Sequence, residues 1–533
     1  MTTIATPPWC RWREGRSAIL VVAPHGGRRD PQPGALPARA PRGGVHTRKV
    51  NDLHTAALAE ELAETLDAAL IVNPAVDRNH LDLNRISQVT ARAPWFLALI
   101  EALLGDILTR HARAEVLFVH GWNVVQPKCD IGVGWTLASA AAAHAHADAL
   151  TISPSYAADR LDRLQGLCAA EGIATAFGER YAARHPNNLL QLFRVRPEQG
   201  AATRLAQWAA AGRVQAIQLE LGVAVRWPGP YRRGFLRAMA AAFDGNGSAA
   251  RRAHAARTRS RPIETRGALL RPPASLQLYD SAAAIGLTAR IDHNGPNGIN
   301  GRVLLLLGGN RLALFIGEDA RGTGPADYGP YFSPTPDGFA LRFAGPALAG
   351  EDGSLYVDLE QAFAASQLCS VAVDLQFQRG LSADFGCASG WIQVDGVRRT
   401  IAAPAFARHG ILQRSAGAWS SQITLSAAFG VQRAVRLHHQ FPGPDDVVFE
   451  LTSRGERQLQ AAPLTVHFDG DRYSPAQIRL ADGAALLCQP LTRMAITRPL
   501  AAHRHARVTF GAARFTRHGE EGFGFYEYGR ALV

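Results

Sequence analysis

Four short segments in the first half of this 533-residue chain bring polar side chains to the ends of apolar runs. Val21-Val22-Ala23-Pro24-His25-Gly26-Gly27-Arg28-Arg29-Asp30 ends an aliphatic run in a histidine and two glycines, whose bare backbone lets a ligand come close. Arg78-Asn79-His80-Leu81-Asp82-Leu83-Asn84-Arg85 follows a second apolar run. Leu117-Phe118-Val119-His120-Gly121 runs straight into a histidine, and Ile217-Gln218-Leu219-Glu220-Leu221-Gly222 sets a carboxylate inside an apolar stretch. Each has a plainer explanation by itself. A histidine at a strand end usually serves a structural hydrogen bond, and a Glu among Leu and Ile is costly to bury but can pair with one of the many arginines. In combination the chemistry sharpens. Two histidines, an acidic residue and a distant Glu are what a hydrolytic zinc site needs: three protein ligands, a position open to water, and a carboxylate to carry protons. Arginines then hold a substrate carboxylate through paired hydrogen bonds.

The elements that must position these residues follow from hydrophobic patterning. From about 17 to 243, short β-branched runs alternate with long Ala/Leu-rich stretches. Strands are expected over 18–22, 69–72, 116–119 and 216–221, and helices over 52–66, 95–110 and 159–171. Such alternation predicts an α/β domain with a mostly parallel sheet, helices on both faces and chemistry at the carboxyl ends of the strands. Between 244 and 272 the sequence turns Arg-, Gly- and Pro-rich and reads as an exposed linker. From 273 to 533 helical periodicity gives way to short runs such as SLQLYD, SVAVDLQFQ and GFGFYEYG, separated by turn residues. An all-β sandwich or barrel region, large enough for two barrels, is expected there. Three parts are thus expected: 1–243, 244–272 and 273–533.

Composition removes several classes. Apolar residues make up 47% and charged residues 19%, which excludes a disordered or collagen-like chain. The net charge of +12 is nearly all arginine, with Lys49 and Lys128 the only lysines, and no zinc finger, RNA-binding aromatic motif or basic zipper accompanies it. No nucleic-acid partner is therefore expected. No two of the six cysteines are spaced as CxxC, so a cysteine metal site is not expected. The N-terminal MTTIATPPWCRWREGRS has no continuous apolar run, and Val303–Leu307 falls far short of the ~20 residues of a membrane span. A reduced, cytoplasmic protein is the expectation. His144 and His146 stand two apart and would not share a helix face. His54, beside Asp52, supports the site or simply begins a helix.

The N-terminal ~245 residues resemble the N-formylglutamate amidohydrolase family, of the zinc carboxypeptidase-like group. APHGG at 23–27 resembles the family's Pro-His-Ser/Ala-Gly turn, and DLHTAALA at 52–59 its Asp-Trp-His helix start. The 78–85 segment resembles Arg-Tyr-x-x-Asp-x-Asn-Arg, FVHG at 118–121 the Asp-Leu-His-Ser strand end, and IQLELG the late Gln-x-Glu strand. The Asn-Arg segment is the most specific of these. The resemblance implies that His25 and His120 ligate zinc. It implies a third ligand at Asp52 or at Asp30, which sits where related poly-γ-glutamate hydrolases keep an acid. It also implies that Glu220 is the general acid/base, that Asn84 and Arg85 grip a substrate carboxylate, and that Arg78 binds substrate or stabilises the oxyanion. Asp82 would orient the Arg85 loop. The substrate class implied is a small carboxylate-bearing amide, an N-formyl or N-acyl amino acid or a γ-glutamyl amide.

Two residues depart from the pattern. Gly121 stands where the family keeps Ser, and Phe118 where it often keeps Asp. They keep open an inactive hydrolase scaffold that only binds ligand. The β region more faintly resembles paired lipocalin-like barrels of the carotenoid-hydratase type, through SGWIQVDGVRR at 389–399 and GFGFYEYGR at 522–530. That resemblance implies an apolar ligand in the barrel, or a lyase or hydratase activity.

Overall fold

The computed structural model describes residues 4–26, 49–194, 203–243, 273–293, 299–308, 310–319, 329–357, 359–382, 384–409, 421–441, 447–459, 465–468, 475–479, 485–499 and 505–532. Asp30 and the stretch 244–272 lie outside them. The chain divides into two compact units, one within residues 1–265 and the other, but for three residues, within 266–533.

The first unit is built on a sheet of seven strands: β1 (Arg11–Arg13), β2 (Ile19–Ala23), β3 (Ala69–Val72), β4 (Ala114–Gly121), β5 (Lys128–Gly132), β6 (Ala174–Ala176) and β7 (Val214–Leu221), in the order β1-β3-β2-β4-β7-β5-β6. The central β3, β2, β4 and β7 are mutually parallel, while β1 pairs antiparallel with β3 and β5 antiparallel with β7 but parallel with β6. The sheet is therefore mixed, with a parallel centre. β2, Ile-Leu-Val-Val-Ala, is buried along its whole length because both of its faces are covered. Val21 and Ala23 point into one core with Leu58, Leu62, Phe235 and Met239, whereas Leu20 and Val22 point into the other with Phe96, Leu99, Leu103 and Ile107. Helix α1 (Thr55–Thr65) thus covers one face. Helices α2 (Ile86–Arg92) and α3 (Pro94–Arg110) cover the other. α3 starts on a proline at its first turn, where the missing N–H costs nothing, and its apolar residues recur at helical spacing. The helix expected over 159–171 begins instead at Asp162, after a π-helical turn over Ala157–Leu161.

The second unit is built of antiparallel β-sheets, with one short α-helix, Leu359–Ala365, among the described residues. Its first sheet contains β8 (Pro273–Asp280), β9 (Ile285–His293), β10 (Ile299–Leu307), β11 (Leu312–Asp319), β12 (Tyr331–Thr335), β13 (Gly338–Gly350), β14 (Gln367–Ser382), β15 (Phe385–Val394) and β16 (Val397–His409). These pair in the order β11-β10-β9-β8-β16-β15-β14-β13-β12. β11 also pairs with β13 through Leu312↔Gly350, Ala313↔Ala349 and Leu314↔Leu348, so the sheet closes on itself. A second sheet of ten antiparallel strands follows between Ser421 and Leu532. Among the described residues, no helix is long and apolar enough to cross a membrane.

Phe118 is part of the core: it is 1% exposed and its ring lies 5.8 Å from Phe193. Phe118→Ala is expected to cost about 3–5 kcal/mol. A lowered thermal midpoint for the α/β unit, followed by circular dichroism, checks this.

Candidate metal centre

The polar site sits at the carboxyl ends of β2, β4 and β7, where a parallel sheet leaves a crevice. His25 follows β2 by two residues. Its loop is pinned by Asn73, whose side-chain amide donates to the Pro24 carbonyl (3.0 Å), and by the Asp52 N–H, which donates to the His25 carbonyl (3.0 Å). Gly26 has no room for a side chain, since a Cβ there would lie 2.6 Å from the Cβ of Ala56 in α1. Its bareness thus admits the helix. Asp52 precedes α1, and His54, at φ 66°, turns the chain into that helix with its ring 4.3 Å from Trp227.

His25, Asp52 and His120 converge. His25 Nδ1 lies 3.3 Å and His120 Nδ1 3.2 Å from the same oxygen, Asp52 Oδ2. All three side chains are almost wholly buried. The other Asp52 oxygen accepts from Arg78 Nη1 at 2.9 Å. His25 Nε2 is 2.7 Å from Asp82 Oδ1. When the His25 ring proton sits on Nε2 and is donated to Asp82, Nδ1 turns a lone pair toward Asp52 Oδ2, and a cation can then sit between the two. The spacing agrees. Tetrahedral ligands at about 2.0–2.1 Å from a metal stand about 3.3 Å apart, which matches both nitrogen–oxygen separations. These three residues can hold a metal ion, and the nitrogen–carboxylate donor set suits zinc or a similar divalent ion.

Beside them, β7 pairs in register with β4 and β5 so that Glu220 neighbours both His120 and Asp130. Gln218, two residues back on the same face, donates its Nε2 to Glu220 Oε1 at 2.7 Å. Its own Oε1 accepts from Asn188 (3.2 Å) and Asn84 (3.4 Å). Asp130 accepts the N–H groups of Glu179, Arg180 and Tyr181 and so fixes the loop beside the site. Arg85 approaches Asp82 (3.5 Å), as does Lys49 (3.6 Å). Its segment is tied to residues 187–189 by the Ile86 N–H to the Asn187 carbonyl and the Leu189 N–H to the Asn84 carbonyl.

The electrostatics separate the carboxyls. Burial by itself would raise Asp52, but Arg78 and the two imidazoles hold it well below the usual carboxylate range. Burial likewise opposes ionisation of Asp82, and His25, Arg78 and Lys49 prevail and lower it. Glu220 goes the other way: burial, then the charge of Asp52, push it up to about 8. Burial brings His120 down to about 4, which favours the uncharged imidazole that metal ligation requires.

The structure therefore brings His25, Asp52, Arg78, Asn84, Arg85, His120 and Glu220 into one region. Asp30 lies outside the described residues. His144 and His146 fall in a 3₁₀ segment, Ala140–Ala149, away from any metal-binding group among the described residues. Asp82 does more than orient the Arg85 loop, since it fixes the His25 ring. Asp130 and Asn188 carry no sequence expectation, and Gln218 stands in the Gln-x-Glu segment without an assigned role. Gln218 alone left a signal, lying two residues from Glu220 and hence on the same strand face.

What the geometry defines is an α/β unit with a buried His-Asp-His group at its strand ends that could hold a metal ion, in a chain that also carries an antiparallel β unit. No family model matches the chain, and no curated protein does. Several solved structures resemble it weakly. N-formylglutamate amidohydrolase from Ralstonia eutropha JMP134 is 14% identical, covering 44% of this chain and 95% of that one, with a TM-score of 0.29. Kievitone hydratase from Nectria haematococca is 11% identical, covering 48% of this chain and 87% of that one, with a TM-score of 0.30. A putative AttH from Nitrosomonas europaea is 16% identical, covering 48% and 90%, with a TM-score of 0.27. These are likenesses of fold at a low level.

Asp82→Asn keeps the size of the side chain but removes the charge that holds His25. Binding of a divalent metal is expected to weaken by about 10–100-fold, measured by titration against a chromogenic chelator.

Proposed function

We propose that the α/β unit is a zinc-dependent hydrolase of a C–N amide bond in a carboxylate-bearing substrate, an N-formyl or N-acyl amino acid or a γ-glutamyl amide. One observation carries the reading: two imidazole nitrogens stand at ligand spacing from one buried aspartate oxygen, with a buried glutamate on the adjoining strand.

His25, Asp52 and His120 would hold the metal. Zinc bound there supplies a Lewis acid that acidifies water and polarises the amide carbonyl. Glu220 takes the proton from the attacking water and passes it to the leaving nitrogen. An acid–base group works best with its pKa near the operating pH, and Glu220 is pushed up to about 8 by burial and by Asp52. Gln218 occupies Oε1 of that carboxyl, which directs proton exchange to Oε2. Arg78 is committed through Nη1 to Asp52, and its cation beside the ligands favours an anion developing on the substrate oxygen. Arg85, a third exposed, reaches Asp82 only through Nε and leaves its paired terminal nitrogens for a substrate carboxylate, with Asn84 beside it. Lys49, half-exposed, adds a third cation at this rim, and the cluster favours an acidic substrate. The second unit is read as lipocalin-like, supported by the closure of its first sheet through β11 and β13.

The purified chain is expected to contain zinc and to hydrolyse N-formylglutamate or another N-acyl amino acid, with loss of activity on chelation and recovery when zinc returns. Glu220→Gln is expected to lower kcat by about a hundred- to ten-thousand-fold with zinc content unchanged, whereas Arg85→Ala mainly raises KM. Hydrolysis retained by the Glu220 variant would sink the assignment. Zinc held without turnover of any such amide would make the chain a binding protein on the same scaffold.

A further inference from the structure

We infer that Arg226 is the positioning residue that locks the two ligand-bearing segments together from beneath, and that Gly121 is bare in order to admit its guanidinium. The inference rests on the reading of His25, Asp52 and His120 as metal ligands.

Arg226 is a fully buried arginine, with no exposed surface. It ends a short helical turn, Val223–Arg226, that follows β7 and Glu220. Its Nη1 donates to the carbonyl of Leu53 at 2.7 Å. Its Nη2 donates to the carbonyl of Trp122 at 3.0 Å and to Asn123 Oδ1 at 3.3 Å. Leu53 is the residue after Asp52, and Trp122 lies two residues after His120. One rigid fork therefore spans the start of α1 and the end of β4, the two segments whose side chains must stay about 3.3 Å apart to share a metal. The cation is also near the Asp52 and Glu220 carboxylates, which offset the cost of burying it; burial lowers it only to about 10, so it stays charged at neutral pH.

Gly121 completes the arrangement. A Cβ on it would stand 2.6 Å from Arg226 Cζ and 3.0 Å from Asp52 Cβ. A guanidinium at the end of an exposed side chain would swing aside at little cost. This one is enclosed and held by three hydrogen bonds, so any side chain at 121 must displace it or push Asp52. The residue that looks like a loss in the sequence is thus the counterpart of a gain elsewhere: a small position beside the second histidine and a large cation from the turn after β7 fill one volume.

A double-mutant cycle on the full-length chain tests this, with zinc affinity measured by chelator competition at 20–25 °C and folding followed by near-ultraviolet circular dichroism. Arg226→Ala and Gly121→Ala are each expected to weaken zinc binding at least about tenfold. The double variant is expected to bind no more weakly than Arg226→Ala alone, because the added methyl group no longer meets a guanidinium; independent residues would show additive losses. Wild-type affinity in Gly121→Ala, or additive losses in the double variant, overturns the inference. Should Arg226→Ala fail to fold, Arg226→Lys retains the charge but not the fork. It is expected to lose about tenfold in affinity, and wild-type affinity there also overturns the inference. A wild-type chain that binds no zinc removes the underlying metal reading instead, and is told apart by that first measurement.

Discussion

One buried carboxylate organises the α/β unit. Asp52 presents one oxygen to two imidazole nitrogens and the other to a guanidinium, with almost no water to screen any of them. In such surroundings a carboxylate is costly unless every oxygen has a partner. That requirement sets where the neighbouring backbone must run. The His25 loop, the start of α1 and the end of β4 all meet at Asp52. Their turns are held by bonds that do nothing else: Asn73 on Pro24, the Asp52 N–H on His25, and Arg226 on Leu53 and Trp122. The parallel centre of the sheet supplies the common direction, since β2, β4 and β7 all end on the same side.

Around that carboxylate the site sorts its titratable groups. Asp52 and Asp82 face cations and imidazoles and are held ionised, while Glu220, buried, near the Asp52 charge and hydrogen-bonded to the Gln218 amide, is driven toward the neutral form. Pairs of carboxyls pushed in opposite directions divide labour in a hydrolytic site: one binds and one exchanges protons. The divergence arises from placement, because the same residue types in water would titrate close together. Cations are arranged in two tiers. Arg226 is fully buried, whereas Arg78, Arg85 and Lys49 reach partly into solvent.

The α/β plan was legible because its signal is local. Aliphatic runs such as Ile19–Ala23 and periodic helices such as α3 declare themselves over a few residues. The expectations for 69–72 and for the helix over 95–110 lie within a residue of β3 and α3. β5 and β6 were not foreseen, since Lys-Cys-Asp-Ile-Gly mixes charge into a buried strand and Ala174–Ala176 is only three residues long. The change to strand patterning after 273 is equally plain, but it leaves sandwich and barrel both open, because the closing pair of β11 and β13 joins segments that are not successive strands.

By itself the sequence determined which residues end the strands and that two histidines, a glutamate and an Asn-Arg pair were available for chemistry, because apolar periodicity stops where a polar side chain must leave the core. It left Asp30 and Asp52 indistinguishable as partners for the histidines. It also cast Asp82 as a loop residue and Gly121 as a bare departure from a pattern. Only the tertiary structure decided that Asp52 lies between the imidazoles, that Asp82 fixes a ring, and that Gly121 yields its volume to Arg226, a residue 105 positions away. Such decisions depend on distances between segments far apart in the chain, and spacing along a sequence does not encode them.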